Sequence, residues 1–115
     1  MTPTLHGIRN CDTVKKARGW LDGRGIAYRF RDFKTEAPGE EELRRWCAAA
    51  GWEAVLNRAG TTFRKLPETE RVDLTEDKAI ALMLAHPSAI KRPVTERGEA
   101  ILVGFKPEVF EQAFG

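Results

Sequence analysis

A chain of 115 residues, 42% apolar and 31% charged, is long enough to bury one core and short for two. Its 19 basic and 17 acidic side chains leave a net charge of +2, too little for the field that holds a protein on nucleic acid or an acidic membrane. Two cysteines far apart exclude a disulfide framework and fit a reducing, cytoplasmic setting, and no run approaches the roughly 18 apolar residues of a membrane span.

The start, Met1-Thr2-Pro3-Thr4-Leu5, has neither the basic nor the apolar region of a signal peptide. Thr4 to Ile8, bounded by Pro3 and Asn10, predicts a short buried strand. From Val14 the positions Val14, Ala17, Trp20 and Leu21 keep helical spacing, and Gly23 and Gly25 close the element. Ile26, Tyr28 and Phe30 then alternate with Ala27, Arg29 and Arg31, the period of a half-buried strand. The three elements predict a β-α-β unit with parallel strands and a right-handed crossover.

Lys34 to Glu42 turns polar and then acidic around Pro38-Gly39. Leu43, Trp46, Cys47 and Ala50 fall at i, i+3, i+4 and i+7 and predict a helix that stops at Gly51. Thr75, followed by Glu76 and Asp77, opens another helix through Ala79, Ile80, Met83 and Leu84, ending near His86-Pro87. Between the two, Asn57 to Lys65 is basic, rich in threonine and reads as irregular. A helical insertion at about 36–88, inside one domain covering 1–115, is the expected organisation.

After Arg92-Pro93, Val94-Thr95 and Ala100 to Val103 predict two strands joined by a hairpin turn at Arg97-Gly98-Glu99. Pro107, Glu108 and the face Phe110, Ala113, Phe114 predict a closing helix.

Cys11 stands where the first strand gives way to the first helix. Free amide N–H groups and the positive end of the dipole at a helix N-terminus stabilise an anion, and the thiolate is the reactive form of cysteine. Asn10 and Thr13 flank the thiol as hydrogen-bond donors, or as helix caps. Position 14 is Val14, so there is no C-x-x-C partner, and Cys47 shares an apolar face with Leu43 and Trp46. A disulfide formed on Cys11 is therefore expected to be resolved by an external thiol such as glutathione. Position 17 is Ala17, which excludes the C-x5-R of a cysteine phosphatase. His6, Cys11, Cys47 and His86 lack zinc-type spacing, so no metal is expected, and His6 reads as a packed strand residue. The clusters Arg64-Lys65 and Lys91-Arg92 suit a small anionic ligand better than nucleic acid.

Five segments in order sharpen this: Gly7 through Ala17, Leu56-Asn57 with Gly60 through Leu66, His86-Pro87, Ile90-Lys91-Arg92-Pro93, and Gly104-Phe105. Together they resemble the arsenate reductase (ArsC)/Spx family, and within it the small YffB-like members. The resemblance implies an α/β, thioredoxin-like fold, β-α-β then β-β-α, with a mixed four-stranded sheet. It implies Cys11 as nucleophile, Pro93 as a cis-proline, and Arg92 as the cationic partner of a thiolate or oxyanion. The expected protein is a monomeric thiol oxidoreductase with no bound cofactor. Glutathione is its co-substrate, an oxidised small molecule or protein thiol is its substrate, and Lys91, Pro93, Arg58, Arg64 and Lys106 are its binding residues. Two departures matter. Arsenate reductases use further arginines, one near Arg58 or Arg64 and one where this chain has Lys106, which lacks the bidentate fork. Spx regulators, which bind RNA polymerase, carry the C-x-x-C that Val14 removes here. A strict arsenate reductase and an Spx-like regulator are the alternatives.

Overall fold

The computed structural model describes every residue, Met1–Gly115. In chain order the elements are β1 (Thr4–Gly7), α1 (Asp12–Gly23), β2 (Arg29–Asp32), α2 (Glu40–Ala50), α3 (Trp52–Val55), α4 (Thr61–Arg64), α5 (Glu68–Arg71) and α6 (Glu76–Ala85). A 3-10 turn at Pro87–Ala89 follows, then β3 (Val94–Arg97), β4 (Ala100–Val103) and α7 (Pro107–Phe114). The strands form one sheet in the order β2-β1-β3-β4. β1 runs parallel to β2 and antiparallel to β3, and β3 runs antiparallel to β4. This is the mixed four-stranded sheet of a thioredoxin-like α/β fold, and the Arg92–Pro93 peptide within it is cis. Contacts divide the chain into two compact units, Met1–Glu36 with Arg92–Gly115, and Ala37–Lys91.

In the first unit, alternation along β1 gives the sheet two unlike faces. Leu5 points into an apolar cluster with Val14, Ala17 and Leu21 of α1 and Phe110 of α7, all fully buried. Trp20, Phe30, Leu102, Phe105 and Phe114 pack against that cluster, with Phe105 edge-on to Phe110 at 4.7 Å and Trp20 edge-on at 5.6 Å. Each large side chain buried this way contributes about 1.5–3 kcal/mol. The other face is polar. Register places Thr4 between Arg29 and Glu96, and His6 between Arg31 and Val94.

β2 starts later than the alternation predicts, and Ile26 and Tyr28 precede it. The cause is the end of α1: the Ile26 amide donates to the Leu21 carbonyl at 3.0 Å across Gly25, whose φ is +67°. An amide committed to closing a helix cannot join a strand ladder. β3 runs to Arg97, beyond the Val94-Thr95 expected, and β1 stops at Gly7 rather than Ile8.

The second unit has its own core, made by Leu43, Trp46 and Cys47 of α2, Val55, Leu56, Phe63, Ala79, Ile80, Met83 and Ile90. α2 starts at Gly39, whose amide donates to the Glu42 carboxylate at 3.2 Å, and stops at Gly51, where φ is +88°. α6 is capped by Thr75, whose hydroxyl accepts from the Lys78 amide at 3.2 Å. The stretch expected to be irregular instead contains α4, which buries Phe63. α3, α4 and α5 have four residues each, fewer than the span over which helical periodicity can show. An isolated bridge between Leu56 and Ile90 ties the end of α3 to the segment after the 3-10 turn, supported by Asn57 donating to Ala89 at 2.8 Å and Lys91 donating to Val55 at 2.7 Å. No helix is long and apolar enough to cross a membrane.

One contact joins the strand to the helix that follows it. A Cβ added at Gly7 would stand 2.7 Å from Val14 Cγ2, inside the fully buried cluster. Gly7→Ala is expected to lower stability by about 1–3 kcal/mol in urea unfolding. The same change in a Val14→Ala background is expected to cost clearly less, because the opposing methyl is gone. Strict additivity in that double-mutant cycle would show that the contact is not the cause.

Candidate active site

Cys11 is the N-cap of α1, with extended backbone at φ −134° and ψ 124°. That geometry leaves its side chain beside the first-turn amides, where a capping serine or aspartate oxygen usually sits. The neutral thiol makes no capping hydrogen bond. Partial burial pushes the Cys11 thiol up. The Val14 amide, the hydrogen bond and charge of the Arg92 guanidinium, and the Thr13 amide all favour the anion, and together they bring its pKa below the ordinary value. Thr13 thus acts through its backbone. Asn10 is exposed in the preceding turn and makes no hydrogen bond.

Arg92 and Cys11 belong to the same unit, and Arg92 is half-buried just before β3. Pro93 follows, fully within the fold, and its carbonyl accepts from the Gly104 amide at 2.8 Å. Lys106, the N-cap of α7, is exposed. The remaining basic residues of interest lie in the second unit. Arg58 and Lys91 line one pocket there with Asn57 and Glu53, and Arg58 lies over the Trp52 ring at 5.5 Å. Arg64 ends α4, exposed, and does not line that pocket.

Cys47 differs from Cys11 in every respect that governs reactivity. It is 3% exposed in the second unit, and burial, with the Glu76 carboxylate adding to it, pushes its pKa up to about 11. Such a thiol stays protonated and unreactive at neutral pH.

Sequence reading did not find one cluster. His6 Nε2 lies 3.0 Å from Glu96 Oε1, and Arg31 Nη1 lies 3.5 Å from His6 Nδ1. The His6 ring is thus held between a guanidinium and a carboxylate. The available signal was polar alternation: Thr4 and His6 on one strand, Arg29 and Arg31 on the next, each opposite in sense to Leu5 and Phe30.

The two thiols are expected to separate cleanly on alkylation. An unperturbed thiol titrates at about 8.5. The Cys11 rate is expected to rise through a midpoint below that, because a lowered pKa keeps the thiolate present until pH falls through it. Cys47 is expected to stay silent until pH approaches about 11. Arg92→Ala is expected to move the Cys11 midpoint upward. An unmoved midpoint would remove Arg92 from the account.

The sequence profile of the ArsC family matches residues 6–113. The chain is similar in structure to a YffB protein, with a TM-score of 0.97 and 59% identity over 99% of this chain and 100% of that one. It is 32% identical over 111 residues to an uncharacterized protein of Haemophilus influenzae, covering 96% of this chain and 97% of the relative. The global transcriptional regulator Spx of Streptococcus mutans is 23% identical over 107 residues, covering 91% of this chain and 77% of the regulator. The match of the ArsC profile along nearly the whole chain, on a thioredoxin-like sheet, shows that the protein is a member of the ArsC family.

Proposed function

We propose that the protein is a glutathione-dependent monothiol reductase. The observation that carries the reading is an acidified Cys11 with no second thiol at the helix position where a dithiol enzyme has one: Val14 is there, fully buried. In the first step the Cys11 thiolate attacks a sulfur of a disulfide between glutathione and the substrate. A bond forms from Cys11 to the glutathione sulfur, and the substrate leaves as a thiolate that takes a proton from water. In the second step the thiolate of another glutathione attacks the same sulfur. Glutathione disulfide leaves and the Cys11 thiolate is restored, so two electrons pass from glutathione to the substrate.

Arg92 and the amides of Thr13 and Val14 stabilise the thiolate both as nucleophile and as leaving group. Asn10 is free to turn toward a bound sulfur. Glutathione carries two carboxylates, which call for cationic anchors. Lys91, Arg58, Arg64 and Lys106 are the cationic candidates, and the backbone at Pro93, in the unit that holds Cys11, is a contact for the peptide. The reaction requires a reducing compartment, which fits the cytoplasm. It needs no bound cofactor and one copy of the chain. Strict arsenate reduction is the weaker reading, because Lys106 offers a point charge where a planar fork is wanted.

The test is turnover of the mixed disulfide of glutathione and 2-mercaptoethanol with glutathione as reductant. Cys11→Ser is expected to abolish turnover and Cys47→Ser to preserve it. Arg92→Ala is expected to lower kcat by roughly ten- to a hundredfold, the worth of one charge-assisted hydrogen bond. Intact mass measurement is expected to show one glutathione added to the wild type and none to Cys11→Ser. Unchanged turnover in Cys11→Ser sinks the mechanism. No turnover in the wild type, with an RNA polymerase subunit captured from lysate, would favour the regulatory reading instead.

A further inference from the structure

The polar face of the sheet in the first unit carries a pocket of about 420 Å³, within the range of small-molecule sites. Thr2 and Thr4, His6, Arg29 and Arg31, Glu36 and Glu96 line it, with Gly98 of the β3–β4 turn. None of these residues belongs to the thiol site. Cys11 packs with the Leu5 cluster on the other sheet face.

Two features make this face more than a stretch of charged surface. The first is order. His6 is 4% exposed, held between the Glu96 carboxylate at 3.0 Å and Arg31 at 3.5 Å, and Arg31 reaches on toward Glu36 at 3.9 Å. Apolar residues in place of a buried ionic network are often neutral or stabilising, so stability does not explain why this strand face is polar. The second is a spare charge. Arg29, two residues from Arg31 and in register with Thr4, makes no side-chain hydrogen bond or ion pair, yet it lines the pocket.

The signs of the lining charges select the ligand. Arg29 and Arg31 are matched in number by Glu36 and Glu96, so the lining carries both signs of charge. A compact dianion such as phosphate gains Arg29 but faces two carboxylates. A ligand carrying one charge of each sign gains at both ends. We propose that this face is a second binding site, for a small zwitterion of the amino-acid class, with its carboxylate on Arg29 and its ammonium group on Glu36. Glu36 lines the same pocket with its side chain 71% exposed, and its carboxylate is only loosely paired with Arg31, at 3.9 Å. Thr2 and Thr4 offer hydroxyls to the same ligand. The His6–Glu96 pair fixes the floor, so little ordering is needed on binding.

The site does not depend on the thiol chemistry, and its test is separate from it. The full chain is titrated with L-glutamine, with butyrate, which has the carboxylate alone, and with inorganic phosphate, following backbone amide shifts and heat. L-glutamine is expected to shift the amides of Thr4, Arg29 and Gly98 and to bind Cys11→Ser equally well. Arg29→Ala is expected to weaken it by about tenfold or more. Glu36→Gln is expected to weaken L-glutamine and leave butyrate unchanged. Three results would overturn the proposal. The first is no response at about 10 mM, where a millimolar ligand would be near saturation. The second is phosphate binding as tightly as L-glutamine with no effect of Glu36→Gln. The third is shifts centred on Cys11 and Arg92 rather than on β1 and β2.

Discussion

Val14 has no free space against Gly7, and the place of the α1 N-terminus follows from that contact. The side chain of Val14 lies in the Leu5, Ala17, Leu21 and Phe110 cluster, while its amide is the foremost group favouring the Cys11 thiolate. Apolar packing therefore sets an electrostatic property. The core holds the strand end and the first helical turn in fixed relation, and the sulfur at the N-cap inherits whatever field that turn presents. Arg92 adds a full charge from the segment leading into β3, so the thiolate is favoured by two parts of the chain distant in sequence.

β1 serves two purposes because its side chains alternate. Leu5 faces the core that fixes the thiol, whereas Thr4 and His6 face the opposite side, among Arg29, Arg31 and Glu96. Four residues thus form the border between an apolar face, where burial does the stabilising, and a polar face, where charges are paired and one is left over. A change at either face need not be felt at the other except through the backbone they share.

Much of this was legible in the residues. Cys11 stood out from its junction alone, and the helical spacing of Leu43, Trp46 and Cys47, and of Ala79, Ile80 and Met83, marked α2 and α6 correctly. The Gly51 stop of α2 and the Thr75 cap of α6 were visible too. The four-residue helices were not legible, because one turn has no period to detect. The late start of β2 was hidden because it depends on where the Ile26 amide finds its acceptor, a matter of backbone geometry rather than composition. The partnership of Arg92 with Cys11 came from resemblance, since no local rule links residues so far apart in the chain. The His6–Glu96 pair had only polar alternation to announce it, and alternation says which face a residue is on, not which residue across the sheet it meets.

The buried valine at position 14 has one more consequence, in kinetics. Where a second thiol stands one turn along the helix, release of a covalent adduct is intramolecular and proceeds at a rate fixed by the fold. Here the only other thiol in the chain is that of Cys47, buried in the other unit. On the proposed mechanism, release is a collision between two molecules, first order in the free thiol of the surroundings. On that mechanism the lifetime of an adduct on Cys11 would lengthen as that thiol is diluted or oxidised, and the fraction of the protein carrying one would report the thiol concentration around it.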